Sequence, residues 1–201
     1  MVSINRITYF LILLALLTSG TILGQEAGQS SPGGASGKAG KAIGADFGGG
    51  RIFWTDETGQ HGLVASSTDQ SAAGIAWNPG GPLVIGASAD GCYAGKQNTE
   101  KIVSTLAGAT QYAAKLCSDL VITVNNVRYD DWYLPSSFEL NLLFRQKKVI
   151  GGFNETSGIY WSSTESPSTP GSSAWEQEFR YGNRYEDDKD MPNQVRCIRK
   201  F

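Results

Sequence analysis

The chain has 201 residues, of which 40% are hydrophobic and 18% charged, and a formal net charge of −2. From Ala42 onward, 14 Lys and Arg stand against 18 Asp and Glu. A mildly acidic, unclustered balance of this kind argues against nucleic acid as a partner, and the length suits one domain with a core of its own.

The first 24 residues read as an export signal. Arg6 supplies a short positive region, Phe10 to Leu17 an uncharged apolar run, and Thr18, Ser19, Gly20 and Gly24 the small residues that follow. That order is the pattern of a secretory signal peptide, with cleavage after Gly20 or Gly24. The competing reading is an uncleaved anchor, since Ile7 to Leu23 approaches the roughly 20 apolar residues a span requires. The interruption at Thr18–Gly20 favours the signal. No Cys follows the apolar run, which excludes a lipid-modified N-terminal cysteine, and no later stretch is long and apolar enough to span. The expected location is therefore the cell envelope, the outer surface or the medium.

Residues 25–42 are rich in Gly, Ser and Ala and carry no aromatic. They read as a flexible linker. Gly34, Gly37 and Gly40 keep a period of three, but so few triplets without Pro make no triple helix.

Order is expected from 43 to 201. Arg51–Thr55 and His61–Ala65 flank a Gly-containing loop and predict a β-hairpin. Residues 67–97 are loop-rich. Apolar residues recurring at three and four from Asn98 to Leu120 predict a helix that Gly108 divides, with Cys117 facing the core. Ser136 and Glu139 have capping-box spacing at the start of a second helix whose buried face is Leu140, Leu143 and Phe144. Ile159–Ser163, Ala174–Phe179 and Gln194–Arg199 predict strands; in the last two, alternate apolar residues place one face on the core and one in solvent. Hairpin, two helices, then antiparallel strands make an α+β domain.

The three cysteines, Cys92, Cys117 and Cys197, lack the spacing of a metal or redox site. In an exported chain they are disulfide candidates first, and at most one pair closes.

The motifs Gly49–Trp54, Asp56–Ala65, Asp131–Ser136, Tyr160–Glu165 and Val195–Arg199 resemble, in one collinear order over about residues 43–201, a bacterial family. It is the family named after the C-terminal domain of the Lcl collagen-like adhesin. The resemblance implies a C-type-lectin-like fold, with two helices on short antiparallel strands and the terminal strands adjacent. It also implies a surface or secreted protein. The adhesin that names the family is trimeric and binds sulfated glycosaminoglycans, but a ligand belongs to a site and does not transfer with a fold. Members with two cysteines carry one on the helix and one in the final Val-Arg-Cys motif. The resemblance thus implies a Cys117–Cys197 disulfide. Cys92 is then left as a small buried residue or as an intermolecular bridge.

Candidate chemistry is sparse. His61 sits at the hairpin turn with no nucleophile beside it, so no catalytic triad or zinc set is apparent. No catalytic residue, metal or cofactor is assigned, and the expectation is a protein that is not an enzyme. The run Glu186-Asp187-Asp188-Lys189-Asp190 has calcium-type carboxylates, but Met191-Pro192-Asn193 lacks the acid of a lectin calcium motif, and a solvated turn is the better reading. Trp132, Trp161 and Trp175 belong to the family motifs and are expected in the core. Arg180, Tyr181, Arg184 and Tyr185, around Gly182, are the candidate ligand-binding residues, since loops on a rigid scaffold are where binding concentrates. Arg145, Lys147 and Lys148 are either a sulfate contact or a complement to a helix dipole, with the dipole preferred. The functional expectation is a binding module for a glycan or a surface protein. The alternative is a structural, self-associating envelope component.

Overall fold

The computed structural model describes residues 41–71 and 73–201; the expected signal segment and all but the end of the linker lie outside the described residues. Among the described residues no helix is long and apolar enough to cross a membrane.

The domain is α+β. In chain order it comprises β1 (Asp46–Phe47), β2 (Gly50–Thr55), β3 (Gly62–Ala65), α1 (Ala94–Thr105), α2 (Ala113–Ser118), β4 (Ile122–Val124), β5 (Val127–Tyr129), α3 (Ser137–Arg145), α4 (Lys147–Ile150), β6 (Ile159–Glu165), β7 (Ser173–Glu178), β8 (Arg184–Asp188) and β9 (Ile198–Lys200). The strands form three sheets, ordered β1-β2-β3-β9, β4-β5 and β6-β7-β8, and every ladder is antiparallel. The first hairpin pairs with the last strand, Val64 opposite Arg199, so the two ends of the domain share one sheet.

Several expectations hold with shifted boundaries. The hairpin forms, with a bulge between Ile52 and Trp54. Ser136 caps α3 in a capping box with Glu139. The first helical region divides, but α1 starts at Ala94 rather than Asn98. The reason is tertiary. Glu139 on α3 accepts hydrogen bonds from Tyr93 N (2.7 Å), Gly95 N (3.1 Å), Ser136 N (2.9 Å) and Tyr133 Oη (3.1 Å). One buried carboxylate thus caps two helices, satisfying amides that a helix start leaves open. Gly95 makes this approach feasible: a Cβ there would lie 2.5 Å from both Glu139 Oε2 and Leu134 O.

Strands β1, β4, β5 and β8 lie where no strand was expected, and the short helix α4 was not anticipated as a separate element. The β4–β5 hairpin turns through Asn125 and Asn126, both at positive φ (50 and 64), the conformation of a two-residue type I′ turn that asparagine tolerates. β8 forms where a solvated turn was expected. The strand Gln194–Arg199 is shorter than its pattern, and only Ile198–Lys200 is laddered. Residues 193–198 instead run between sheets: Gln194 bonds β6 at Ile159 and Trp161, and Ile198 bonds Tyr133.

The alternation in the last two predicted strands does not separate core from solvent. Glu176, Gln177 and Arg196 are all buried. Arg196 reaches Asp69 (Nη2 to Oδ1, 2.6 Å) and donates to the carbonyls of Ser66, Gly151 and Gly152, with its guanidinium 3.9 Å from the Phe153 ring centroid. A buried charge is tolerable when so fully paired. Lys189, expected in a solvated turn, is also buried. It bonds Glu165 (2.6 Å), Leu83 O and Pro170 O. Glu165 in turn accepts the amides of Ile85, Gly86 and Ala87. The pair anchors the loop-rich segment 67–93, which has little secondary structure to hold it.

The apolar core forms two clusters. One gathers Trp77, Trp132, Trp161, Ile102, Val195 and the Cys117–Cys197 disulfide. The other gathers Phe53, Leu63, Tyr133, Leu143, Tyr160 and Phe179. The disulfide ties α2 to the segment entering β9 across a sequence separation of 80. The chain-entropy model assigns such a loop about 4.5 kcal/mol. Trp132 and Trp161 are buried as expected, Trp175 is half-buried, and Trp77, which no motif had singled out, is fully enclosed.

Candidate functional site

The β7–β8 connection carries Arg180 and Tyr181, β8 opens with Arg184 and Tyr185, and the connection is firmly built. Gly182, at φ 87, bends the chain over the ring of Phe144. Gln177 Nε2 donates to Gly182 O at 3.0 Å and to Asn141 Oδ1 at 3.1 Å. Lys147 Nζ donates to the carbonyls of Phe179 and Arg180 and lies 4.5 Å from the Phe144 ring centroid. Lys147 is thus committed to this turn, while Lys148 pairs with Glu155 at 2.7 Å. Arg145 occupies the last turn of α3.

On this support Tyr181 is 66% exposed and the Arg180 guanidinium sits 4.8 Å from its ring centroid. These two residues come together. Arg184 and Tyr185 do not join them as one patch. They are adjacent on strand β8, and successive strand side chains point to opposite faces. Arg184 stands opposite Gln177 and reaches Ser137 Oγ of α3 at 3.4 Å. Tyr185, 52% exposed, stands opposite Glu176 on the other face. A turn would have gathered all four; the strand divides them.

The face that carries Tyr185 is acidic. Glu176 is only 5% exposed. Asn193 Nδ2 donates to Glu176 Oε2 at 2.7 Å and to Asp187 Oδ2 at 3.3 Å. Burial, then the nearby Asp187 carboxylate, raises the Glu176 carboxyl to about 8. It therefore holds its proton at neutral pH. Among the described residues no group of three or more His, Cys, Asp and Glu side chains is placed to hold a metal ion.

His61 is exposed at the hairpin and its Nδ1 lies 2.8 Å from Asp56 Oδ2. Hydrogen bonds from Thr58 and then His61 hold the Asp56 carboxyl down to about 2. Cys92 is half-buried beside Tyr93 and outside any disulfide, and burial raises its thiol, with Glu139 adding to the effect.

Among the hollows on the surface of the described residues, four are well formed. Two, of about 360 and 330 Å³, share Asp131 near α1 and β9. A groove of about 680 Å³ lies between the β1–β2 turn and the β4–β5 hairpin, and the fourth, about 210 Å³, adjoins Lys189. None of these four is lined by Arg180, Tyr181, Arg184 or Tyr185.

The first hairpin and the last strand share one sheet, with β1 and β9 at its opposite edges rather than adjacent as expected. A disulfide-closed α+β domain with that sheet and a braced, aromatic-bearing turn is the class that these elements define. The family model described as the Lcl C-terminal domain matches residues 51–199, and the chain belongs to that family. No curated protein matches the chain.

Proposed function

We propose that the domain is a C-type-lectin-like, non-enzymatic binding module that is exported to the bacterial cell surface and recognises a glycan or a surface ligand. The observation that carries this reading is the Arg180–Tyr181 pair. A ring face and a guanidinium stand exposed on a turn whose backbone is held by Lys147 and Gln177. Aromatic faces stack on apolar ring surfaces, and guanidinium forks donate to oxyanions and hydroxyls. Adjacency of β3 and β9 supports the lectin-like relation. The Cys117–Cys197 disulfide supports an oxidising destination.

A glycan array probed with the purified protein and with Arg180→Ala/Tyr181→Ala tests the reading. Binding that the double substitution removes supports it. No binding by the parent protein counts against it.

A second reading, a self-associating envelope component, has its own observation. Val124 and Val127 are exposed on the β4–β5 hairpin beside the groove that Phe47 and Tyr129 line. A stable oligomer in light scattering together with a blank array favours it.

A further inference from the structure

Two departures from regular backbone meet near the turn end of the first hairpin. Tyr93 adopts φ 66 and ψ 0, the left-handed region, which is uncommon for a bulky residue. The hydrogen bond that its backbone N–H donates to Glu139 Oε1 holds it there. Beside the β2 bulge, the Trp54 ring meets the Tyr93 ring edge-on, with centroids 6.1 Å apart. Strained residues and bulges both concentrate where a protein aims a side chain at a ligand.

Tyr93 lines the hollow of about 360 Å³ with His61, Asp131 and Lys200. Asp131 also lines the hollow of about 330 Å³, which continues along α1 past Ser104. The two hollows adjoin at that shared residue and are together called the furrow. Apart from Lys200 its charged groups are paired: Asp131 takes Arg199 Nε and Nη2 at 2.6 and 3.0 Å, Asp130 takes Arg128, Lys96 pairs with Glu100, and His61 Nδ1 meets Asp56. So balanced a lining has little pull on a polyanion or a polycation. It offers a ring, a rigid carboxylate–guanidinium pair that accepts and donates side by side, and the Lys200 ammonium at the rim. That set suits a chain of rings bearing vicinal hydroxyls. An added peptide strand suits it less, because Ile198 on the outer edge of β9 already exchanges both backbone hydrogen bonds with Tyr133.

We propose that this furrow binds a neutral oligosaccharide, one ring against Tyr93 and the next bridging Asp131 toward α1. The site shares no residue with the β7–β8 turn and adds to the binding reading above without depending on which ligand that turn takes.

The test titrates unsulfated chitotriose, cellotriose and maltotriose, separately, into the isotope-labelled protein while amide shifts are followed. Saturable shifts at Tyr93, Asp131 and Lys200 with at least one sugar are expected. Affinity should fall about three- to tenfold in Tyr93→Asn, the loss of one ring contact. Asparagine tolerates the left-handed backbone, so the fold is kept. Lys200→Ala, an exposed position, serves as the second variant and should also weaken binding, whereas Met191→Ala, exposed and outside the furrow lining, should leave it unchanged. The proposal is overturned by no saturable shift with any of the three sugars, by shifts that map elsewhere, or by affinity that both furrow variants leave intact. Saturation by a lysine-rich tripeptide but by no sugar overturns it too. No furrow shift with any of the three neutral sugars, together with turn shifts from a sulfated glycan, would retain the earlier reading and overturn this one.

Discussion

The charges of this domain fall into two populations that behave in opposite ways. Around β6 and the segment entering β9, Glu139, Glu165, Lys189 and Arg196 are buried, and each bonds several backbone groups far away in sequence. At the β7–β8 turn and along β8, Arg180, Arg184 and Asp188 are exposed and nearly free of such duties. The contrast teaches where irregular backbone gets its support. Segment 67–93 has few ladder bonds of its own, so its amides and carbonyls close onto buried ions. The β7–β8 turn is part of a hairpin, so its charges remain available to a ligand.

Breaking the buried population should have the largest effect. Arg196→Met leaves Asp69 and three carbonyls without their partner and should cost about 3–5 kcal/mol in urea unfolding. A cost under about 1 kcal/mol would mean that water replaces the guanidinium easily and that the two populations differ less than their burial indicates. Next comes the covalent tie on the same side of the molecule. Cys117→Ala/Cys197→Ala should cost about 2–5 kcal/mol, read as a lowered midpoint that added reductant reproduces in the parent protein.

Glu176 lies between the two populations, and its effect depends on pH. Its folded-state value, about 8, stands above the ordinary carboxyl value of 4.5. The folded state therefore binds more protons than the unfolded state between those values, and stability falls as pH rises through that window. Glu176→Gln keeps the amide oxygen for Asn193 and places a donor toward Asp187. It should flatten the decline and gain about 1–2 kcal/mol at pH 9 relative to the parent, a value discounted for partial solvent screening. Denaturation midpoints measured from pH 5 to 9 check the sign. Parallel pH curves for the two proteins would remove Glu176 as the cause.

The smallest stability effect belongs to the exposed population. Arg180→Ala/Tyr181→Ala should change unfolding by less than about 0.5 kcal/mol while abolishing any glycan binding at the turn. A large loss of stability would show that the turn is structural and remove the contrast.

Legibility followed the range of the interactions. The α3 start was readable because Ser136 and Glu139 cap each other within one turn. The start of α1 was not, since the carboxylate that caps it sits 44 residues away from Gly95. The β4–β5 hairpin carried only a weak local signal, Asn125-Asn126 between Ile122-Thr123-Val124 and Val127-Arg128-Tyr129, two runs too short to mark strands without their pairing. Lys189 read as solvated because four acids surround it in sequence; its partner, Glu165, lies on another strand. The candidate residues lie on the β7–β8 connection and the first half of β8, yet their division between two faces follows from strand pairing, which their composition does not reveal.

By itself the sequence determined the α+β class, the first hairpin, the capped α3 and membership in a family whose motifs run through the whole domain. All of these rest on short-range periodicity, capping or contiguous motifs. The burial of Arg196, Glu139 and Lys189, the split of Arg184 from Tyr185, and the furrow under Tyr93 were decided only by tertiary structure. Each depends on groups brought together from distant parts of the chain, and no local pattern encodes which partner a buried charge will meet.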